Sequence, residues 1–138
     1  MQFRSPSRAA LSLLALAAVV IIGAAAAGGS MWKSHNRAQK VARAVTGGDP
    51  SRAPGLIRRY GCAGCHTISG IPGADGQVGG SLEGIVHRVY VGGVVTNTPE
   101  NLIQWIVSPQ KFSPRSAMAT TGITEAEARD VAAFLYAQ

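Results

Sequence analysis

The hydrophobic and polar positions divide the chain into one long apolar run and a remainder in which apolar residues recur in short groups. The 24 residues from Ala9 to Trp32 carry no charge and lie between Arg8 and Lys33. About 20 apolar residues suffice for a helix to span a bilayer, and tryptophan favours the membrane interface. We therefore predict that residues 1–32 form a signal anchor with one transmembrane helix.

The same run is open to a second interpretation, a cleaved signal peptide. Its apolar core would extend from Leu11 to Ile22, and Ala25-Ala26-Ala27 would supply the small residues of a cleavage site. We favour the anchor because the uncharged run continues beyond that site. Either interpretation sends the rest of the chain out of the cytoplasm.

Two further segments follow the apolar run, a basic linker over residues 33–48 and a folded domain over residues 49–138. The linker is only weakly apolar and ends at the Gly-Gly-Asp-Pro break of residues 47–50. We expect a solvated tether near anionic lipid. The alternative is that the linker continues the membrane helix.

Short amphipathic segments with helix-start signals predict an all-α domain. Prolines favour the first turn of a helix, threonines are good N-caps, and Thr-x-x-Glu is a capping box. Between the first two helices, residues 70–84 hold six glycines and one proline, which excludes a regular helix or a buried strand. A domain with so much loop needs another source of core. The three predicted helices run from Pro54 to Tyr60, from Thr98 to Pro109, and from Thr124 toward the C-terminus.

The net charge of +6 comes from the N-terminal part of the chain. Six basic residues and no acidic residue precede Asp49, whereas seven of each follow from there onward. The predicted domain is therefore formally neutral. Because its basic residues form no stripe interleaved with aromatics, we predict no binding to nucleic acid.

The segment Cys62-Ala-Gly-Cys65-His66 has the spacing of a c-type haem attachment site. The two thiols add to the two vinyl groups of the porphyrin, and the following imidazole is a suitable ligand for the iron. A thioredoxin-like redox pair would require a βαβ setting, and a zinc site would have only His35 and His87 to add. A disulfide would leave the histidine without a role.

Residues 50–138 resemble a class I cytochrome c. Besides the cysteine–histidine motif, the run from Pro109 through Pro114 to Met118 is similar to the family loop that delivers the distal methionine. A core methionine is the structural alternative for this residue, and His87 is the rival sixth ligand. The resemblance implies one haem c attached through Cys62 and Cys65, with His66 and Met118 as the iron ligands.

The sequence departs from the family pattern at two places. Ala119 follows Met118 where the family commonly has proline, and Gly79-Gly80-Ser81 stands where it often has Gly-Pro before a leucine. In the family the proline carbonyl accepts the N–H of the proximal imidazole. Here we expect the carbonyl of Gly79 or Gly80 to do so.

Two further residues have expected roles beside the haem. Arginine suits a charge-assisted pair with carboxylate, so Arg88 is a candidate partner of a haem propionate, with a solvated arginine as the alternative. Trp105 is expected to pack on the haem face or edge. Lys111 and Arg115 flank the methionine loop, and we predict that they form the docking edge for a redox partner.

Histidine–methionine ligation saturates the iron, so the resemblance implies one-electron transfer and not an enzyme. The runs 88–97 and 101–106 resemble cytochrome domains associated with haem-copper terminal oxidases. We therefore expect a carrier of a bacterial respiratory chain, in the cytoplasmic (inner) membrane with its haem domain on the periplasmic side, and a terminal oxidase complex as partner. The alternatives are a structural oxidase subunit and a haem-based ligand sensor or peroxidase-like enzyme.

Overall fold

The computed structural model describes residues 8–138, so the start of the predicted 1–32 anchor lies outside the described residues. These residues form mainly helix, which confirms the all-α prediction, and they add one small antiparallel hairpin. The helices are α1 Arg8–Thr46, α2 Ala53–Arg59, α3 Pro99–Val107 and α4 Glu125–Tyr136, and the strands are β1 Tyr90–Val91 and β2 Val95–Thr96. Three short 3-10 turns are Cys62–Gly64, Ile85–His87 and Pro109–Lys111.

The described N-terminal part, up to Ser34, is helical throughout. By length and composition, α1 is the one helix of the described chain that could cross a membrane. A signal sequence passes the same test, so both interpretations of the apolar run are compatible with this helix.

Residues 35–138 form a compact unit that includes the end of α1. The prediction of a solvated tether is wrong there, because Ala42 and Thr46 are each only 1% exposed. These small side chains are four residues apart and share one helix face, and Ala42 packs with Ala133 and Ala137 at the end of α4. The last turns of α1 thus belong to the core of the domain.

Helix α4 is the element against which α2 and α3 pack. Its predicted capping box is present, since Thr124 and Glu127 exchange side-chain and backbone hydrogen bonds. The predicted cap of α3 is also present, because Thr98 Oγ1 accepts the Asn101 N–H at 3.2 Å. The caps fix where each helix begins, and the apolar faces then meet in one core. Its most deeply buried large side chains are Ile57, Leu102, Ile103 and Leu135.

The hairpin pairs Tyr90 with Thr96 and Val91 with Val95. It is joined to the helices by Asn97, whose Nδ2 donates to the Ile85 carbonyl at 2.7 Å and to the Arg88 carbonyl at 2.9 Å. The Oδ1 of Asn97 accepts from the Tyr136 hydroxyl at 2.7 Å. One side chain therefore connects the hairpin, the preceding 3-10 turn and α4. The hairpin was not predicted from the sequence, because strands of two residues show no detectable alternation of apolar and polar positions.

Candidate functional site

An apolar cavity of about 310 Å³ lies among α2, α3, α4, the hairpin and the loop before α4. Five of the six residues that were predicted to hold the cofactor line it. Cys65 and the rival ligand His87 are exposed and lie outside the described lining. Apolar side chains from all three short helices complete the wall, among them Ile57, Leu102, Ile106, Val131 and Leu135. The predicted residues on the wall are Cys62, His66, Arg88, Trp105 and Met118.

The histidine is oriented by the backbone on either side of it. Gly61, with φ of 72°, turns the chain into the 3-10 turn Cys62–Gly64, and the His66 N–H donates to the Cys62 carbonyl at 3.0 Å. The His66 Nδ1 lies 2.7 Å from the Gly80 carbonyl oxygen. Because a carbonyl can only accept, Nδ1 carries the proton and Nε2 keeps its lone pair for a metal. The expected glycine carbonyl partner is thus found, and it belongs to Gly80.

Close backbone approach explains part of the glycine content of the 70–84 loop. A Cβ on Gly79 would lie 2.3 Å from His66 Cε1, and one on Gly76 would lie 2.6 Å from the Cys65 carbonyl carbon. The Gly79 N–H also donates to the Cys65 carbonyl at 2.7 Å. These two glycines let the loop lie directly against the cysteine–histidine motif.

Met118 lies half-buried in the irregular loop that follows α3. Its N–H donates to Ser116 Oγ at 3.2 Å, and its carbonyl accepts from Gln110 Nε2 at 2.7 Å. Gln110 was not among the residues predicted from the sequence. Its position directly after the helix-ending Pro109 was the one available signal, and a proline that ends a helix does not by itself indicate which side chain will fold back onto the loop.

Arg88 and Trp105 line the cavity, and each also contacts other residues of the protein. The Arg88 guanidinium donates to the carbonyls of Ser81 at 2.5 Å and Glu83 at 3.1 Å. The Trp105 ring stacks on Phe112 with 6.1 Å between the ring centroids. A Cβ on Gly92 would lie 2.3 Å from the Trp105 ring, so the hairpin turn lies against the indole. The predicted pair between Arg88 and a haem propionate stays a prediction.

The chemistry of the cavity residues fits a covalently attached haem. Cys62 on the cavity wall and the exposed Cys65 are not joined in a disulfide, and burial raises the pKa of the Cys62 thiol. Among residues 8–138, no three side chains of His, Cys, Asp or Glu converge into a metal-binding group, so a four-ligand zinc site is not formed there. Apolar walls, one free imidazole nitrogen and the glycine approach beside His66 suit a flat apolar macrocycle with a nitrogen-ligated iron.

Comparison with known proteins agrees with this chemistry. The family model for cytochrome c matches residues 52–137, which is more than half of the chain and includes the whole cavity lining. No curated protein and no solved structure gives a significant match. The matched range contains the cysteine–histidine motif, the methionine loop and the three short helices. The chain belongs to the cytochrome c family.

Proposed function

We propose that the chain is a membrane-anchored mono-haem cytochrome c that transfers single electrons in a bacterial respiratory chain, to or within a terminal oxidase complex. Family membership implies a covalently bound haem c, and a cytochrome c domain is typically an electron carrier. The proposal adds the number of haems, the ligands, the membrane and the partner.

The observation that carries the proposal is that Cys62, His66 and Met118 line the same apolar cavity. In this proposal Cys62 and Cys65 would hold the haem through two thioethers, and the His66 Nε2 and the Met118 sulfur would be the ligands of its iron. Gly80 keeps the imidazole in the tautomer that leaves Nε2 free. Bound in this way, the haem supplies a one-electron redox centre.

The residues around the cavity disfavour bond-making catalysis. Apolar side chains such as Ile57, Leu102 and Leu135 keep water from the cavity. With His66 and Met118 both as ligands, the iron would be saturated and would have no position for a substrate, which favours electron transfer over bond-making catalysis. The carboxylates near the start of α4 are engaged in capping and in ion pairs, so they are not poised as general acids or bases.

The proposed location rests on α1 and on the family. An apolar helix of this length is suited to anchor the chain in a membrane. Cytochrome c domains are generally extracytoplasmic, which supports a position on the periplasmic side of the bacterial cytoplasmic membrane. The oxidase partner is supported by the resemblance of the runs 88–97 and 101–106 to oxidase-associated domains.

Substitution of Met118 tests the proposed ligation. Thioether ligation favours ferrous iron, so Met118→His should keep a six-coordinate low-spin spectrum but lower the redox potential substantially. Met118→Ala should open the iron to carbon monoxide and cyanide, and the weak near-infrared band of sulfur-to-iron charge transfer should disappear in both variants.

The wild type should bind carbon monoxide poorly. If it binds the gas as readily as Met118→Ala and lacks the near-infrared band, Met118 is not a firm ligand. The haem-based sensor would then describe the protein better than the electron carrier.

A further inference from the structure

The loop that carries Met118 is held by one amide side chain. Gln110 lies half-buried in the 3-10 turn Pro109–Lys111. Its Nε2 donates to the Met118 carbonyl at 2.7 Å, and its Oε1 accepts from Thr120 Oγ1 at 2.6 Å. The two ends of the same amide therefore bind the loop at the methionine itself and two residues later.

Few other hydrogen bonds hold the part of the loop that contains the methionine. Up to Ser116 the loop is held by hydrogen bonds within its own backbone turns. In the described structure, residues 117–123 make only the two bonds to Gln110 and the bond from the Met118 N–H to Ser116 Oγ. Ala119 follows and does not restrict φ as a proline would. Ile123 is buried in the core at the far end of this stretch, so at Met118 itself the backbone is held by Gln110 and by the bond to Ser116.

We propose that Gln110 is the positioning residue that directs the Met118 thioether into the cavity, an inference that rests on the proposed role of Met118 as distal ligand. A free loop loses conformational entropy when its methionine binds iron, whereas a loop already held in place loses less. The residue type matters, because an amide donates through its nitrogen and accepts through its oxygen at the same time. A carboxylate of the same shape accepts only and has no proton for the Met118 carbonyl.

Imidazole titration of the ferric, haem-loaded protein measures how readily an external ligand displaces Met118. Gln110→Ala removes both hydrogen bonds and should raise the apparent imidazole affinity roughly tenfold, while the near-infrared sulfur-to-iron band weakens. Gln110→Glu keeps the size of the side chain but removes the N–H donor, and it should also raise the apparent imidazole affinity. Thr120→Val removes one bond and should raise the affinity by a smaller factor, roughly threefold.

The matched control is Gln104→Ala, because Gln104 is a half-buried glutamine of α3 whose amide bonds Glu125 at 3.4 Å, away from the methionine loop. It should leave the imidazole affinity unchanged. Thr120→Val decides the matter if Gln110→Ala does not fold.

Two results would overturn the inference, and they differ in what else they overturn. If the Gln110 and Thr120 variants match the wild type while Met118→Ala gains imidazole affinity, Gln110 does not position the ligand and the proposed function stands. If Met118→Ala itself matches the wild type, Met118 is not the ligand, and the proposed ligation fails together with this inference.

Discussion

At the scale of single residues, the two adjacent glycines beside His66 have different roles. Gly79 is needed because it has no side chain: any Cβ there would overlap the His66 ring. Gly80 provides its carbonyl oxygen, and a Cβ on it would meet no atom within 4 Å. Position 79 therefore requires glycine, whereas any residue that keeps the same backbone conformation could supply the carbonyl at position 80.

This difference gives a matched pair of substitutions. Gly79→Ala should displace the imidazole, lower the yield of haem-loaded protein and shift the redox potential, because the clash is with a ring that cannot move freely. Gly80→Ala should leave both nearly unchanged. Haem content per chain and potentiometric titration are the measurements. Equal behaviour of the two variants would mean that the histidine approach does not depend on Gly79.

Single residues were predicted from sequence where a motif or the family resemblance assigns them a role. The cysteine–histidine spacing indicated His66, and the missing family proline indicated a glycine carbonyl in its place. Gln110 and Asn97 were not predicted, because their partners lie in other turns of the chain and neither periodicity nor spacing records such a contact. The side chains that connect loops can be recognised only once the fold is known.

At the scale of elements, the carboxylate of Glu127 on α4 bonds residues at the end of α2. Glu127 Oε2 accepts from the Tyr60 hydroxyl at 2.8 Å and from Thr124 Oγ1 at 2.7 Å. The hydrogen bonds from Thr124 and then from Tyr60 hold the pKa of Glu127 below its usual value, with the Arg59 charge adding to the effect. The capping box that begins α4 is therefore also the joint between the two helices.

The lowered pKa predicts a pH dependence for Glu127→Gln. A carboxyl whose pKa is lower in the folded state stabilises the fold above its unfolded pKa, near 4.3, and this stabilisation is lost as the pH falls through the folded pKa. The wild type should exceed the variant in free energy of unfolding at pH 7, and the difference should shrink at acid pH.

Denaturant unfolding followed by circular dichroism at a series of pH values measures this difference. Glu100→Gln is the control, since Glu100 lies exposed in the first turn of α3, and its smaller effect should come from the helix dipole. A difference between wild type and Glu127→Gln that stays constant from pH 7 to pH 3 would contradict the prediction.

Helix starts were predictable because capping is local: Thr98 and Thr124 each act within three residues of themselves. The packing of the end of α1 against the domain was not predictable, because its own buried residues are small. Ala42 and Thr46 carry too little apolar surface to mark a face in the sequence, yet Ala42 packs against the end of α4 and the Thr46 carbonyl accepts from Arg129 of α4. What decides their burial is shape, which hydrophobic patterning does not report.

At the scale of the whole molecule, the excess of basic over acidic residues comes from the chain before Asp49. The segment from Asp49 onward has equal numbers of both and is formally neutral. The compact unit of residues 35–138 adds only Arg37, Lys40 and Arg43 to this segment, all in the last turns of α1, so electrostatic docking at the methionine loop must come from the charges near that loop. Lys111 and Arg115 are both exposed on the methionine loop. They remain our predicted docking residues.

Charge reversal tests that prediction. Lys111→Glu combined with Arg115→Glu should slow electron transfer to oxidase-containing membranes and weaken its dependence on ionic strength, because rim charges act mainly on the association rate. Arg58→Glu, on an exposed position of α2, is the control and should have a smaller effect. Rates that are identical in the double variant and the wild type at every ionic strength would point to an apolar or permanent interface.

The small hairpin has a consequence for how the molecule behaves at high concentration. It carries exposed apolar side chains, with Tyr90 53% and Val94 49% accessible, and its sheet has only two strands. Long, flat edges of this composition act as templates for cross-β aggregation. Here each strand is only two residues long, and the turn of Gly92 and Gly93, with φ of 57° and 71°, ends the ladder at once. The protein can therefore present valine and tyrosine beside its cavity without offering incoming chains a sheet to extend.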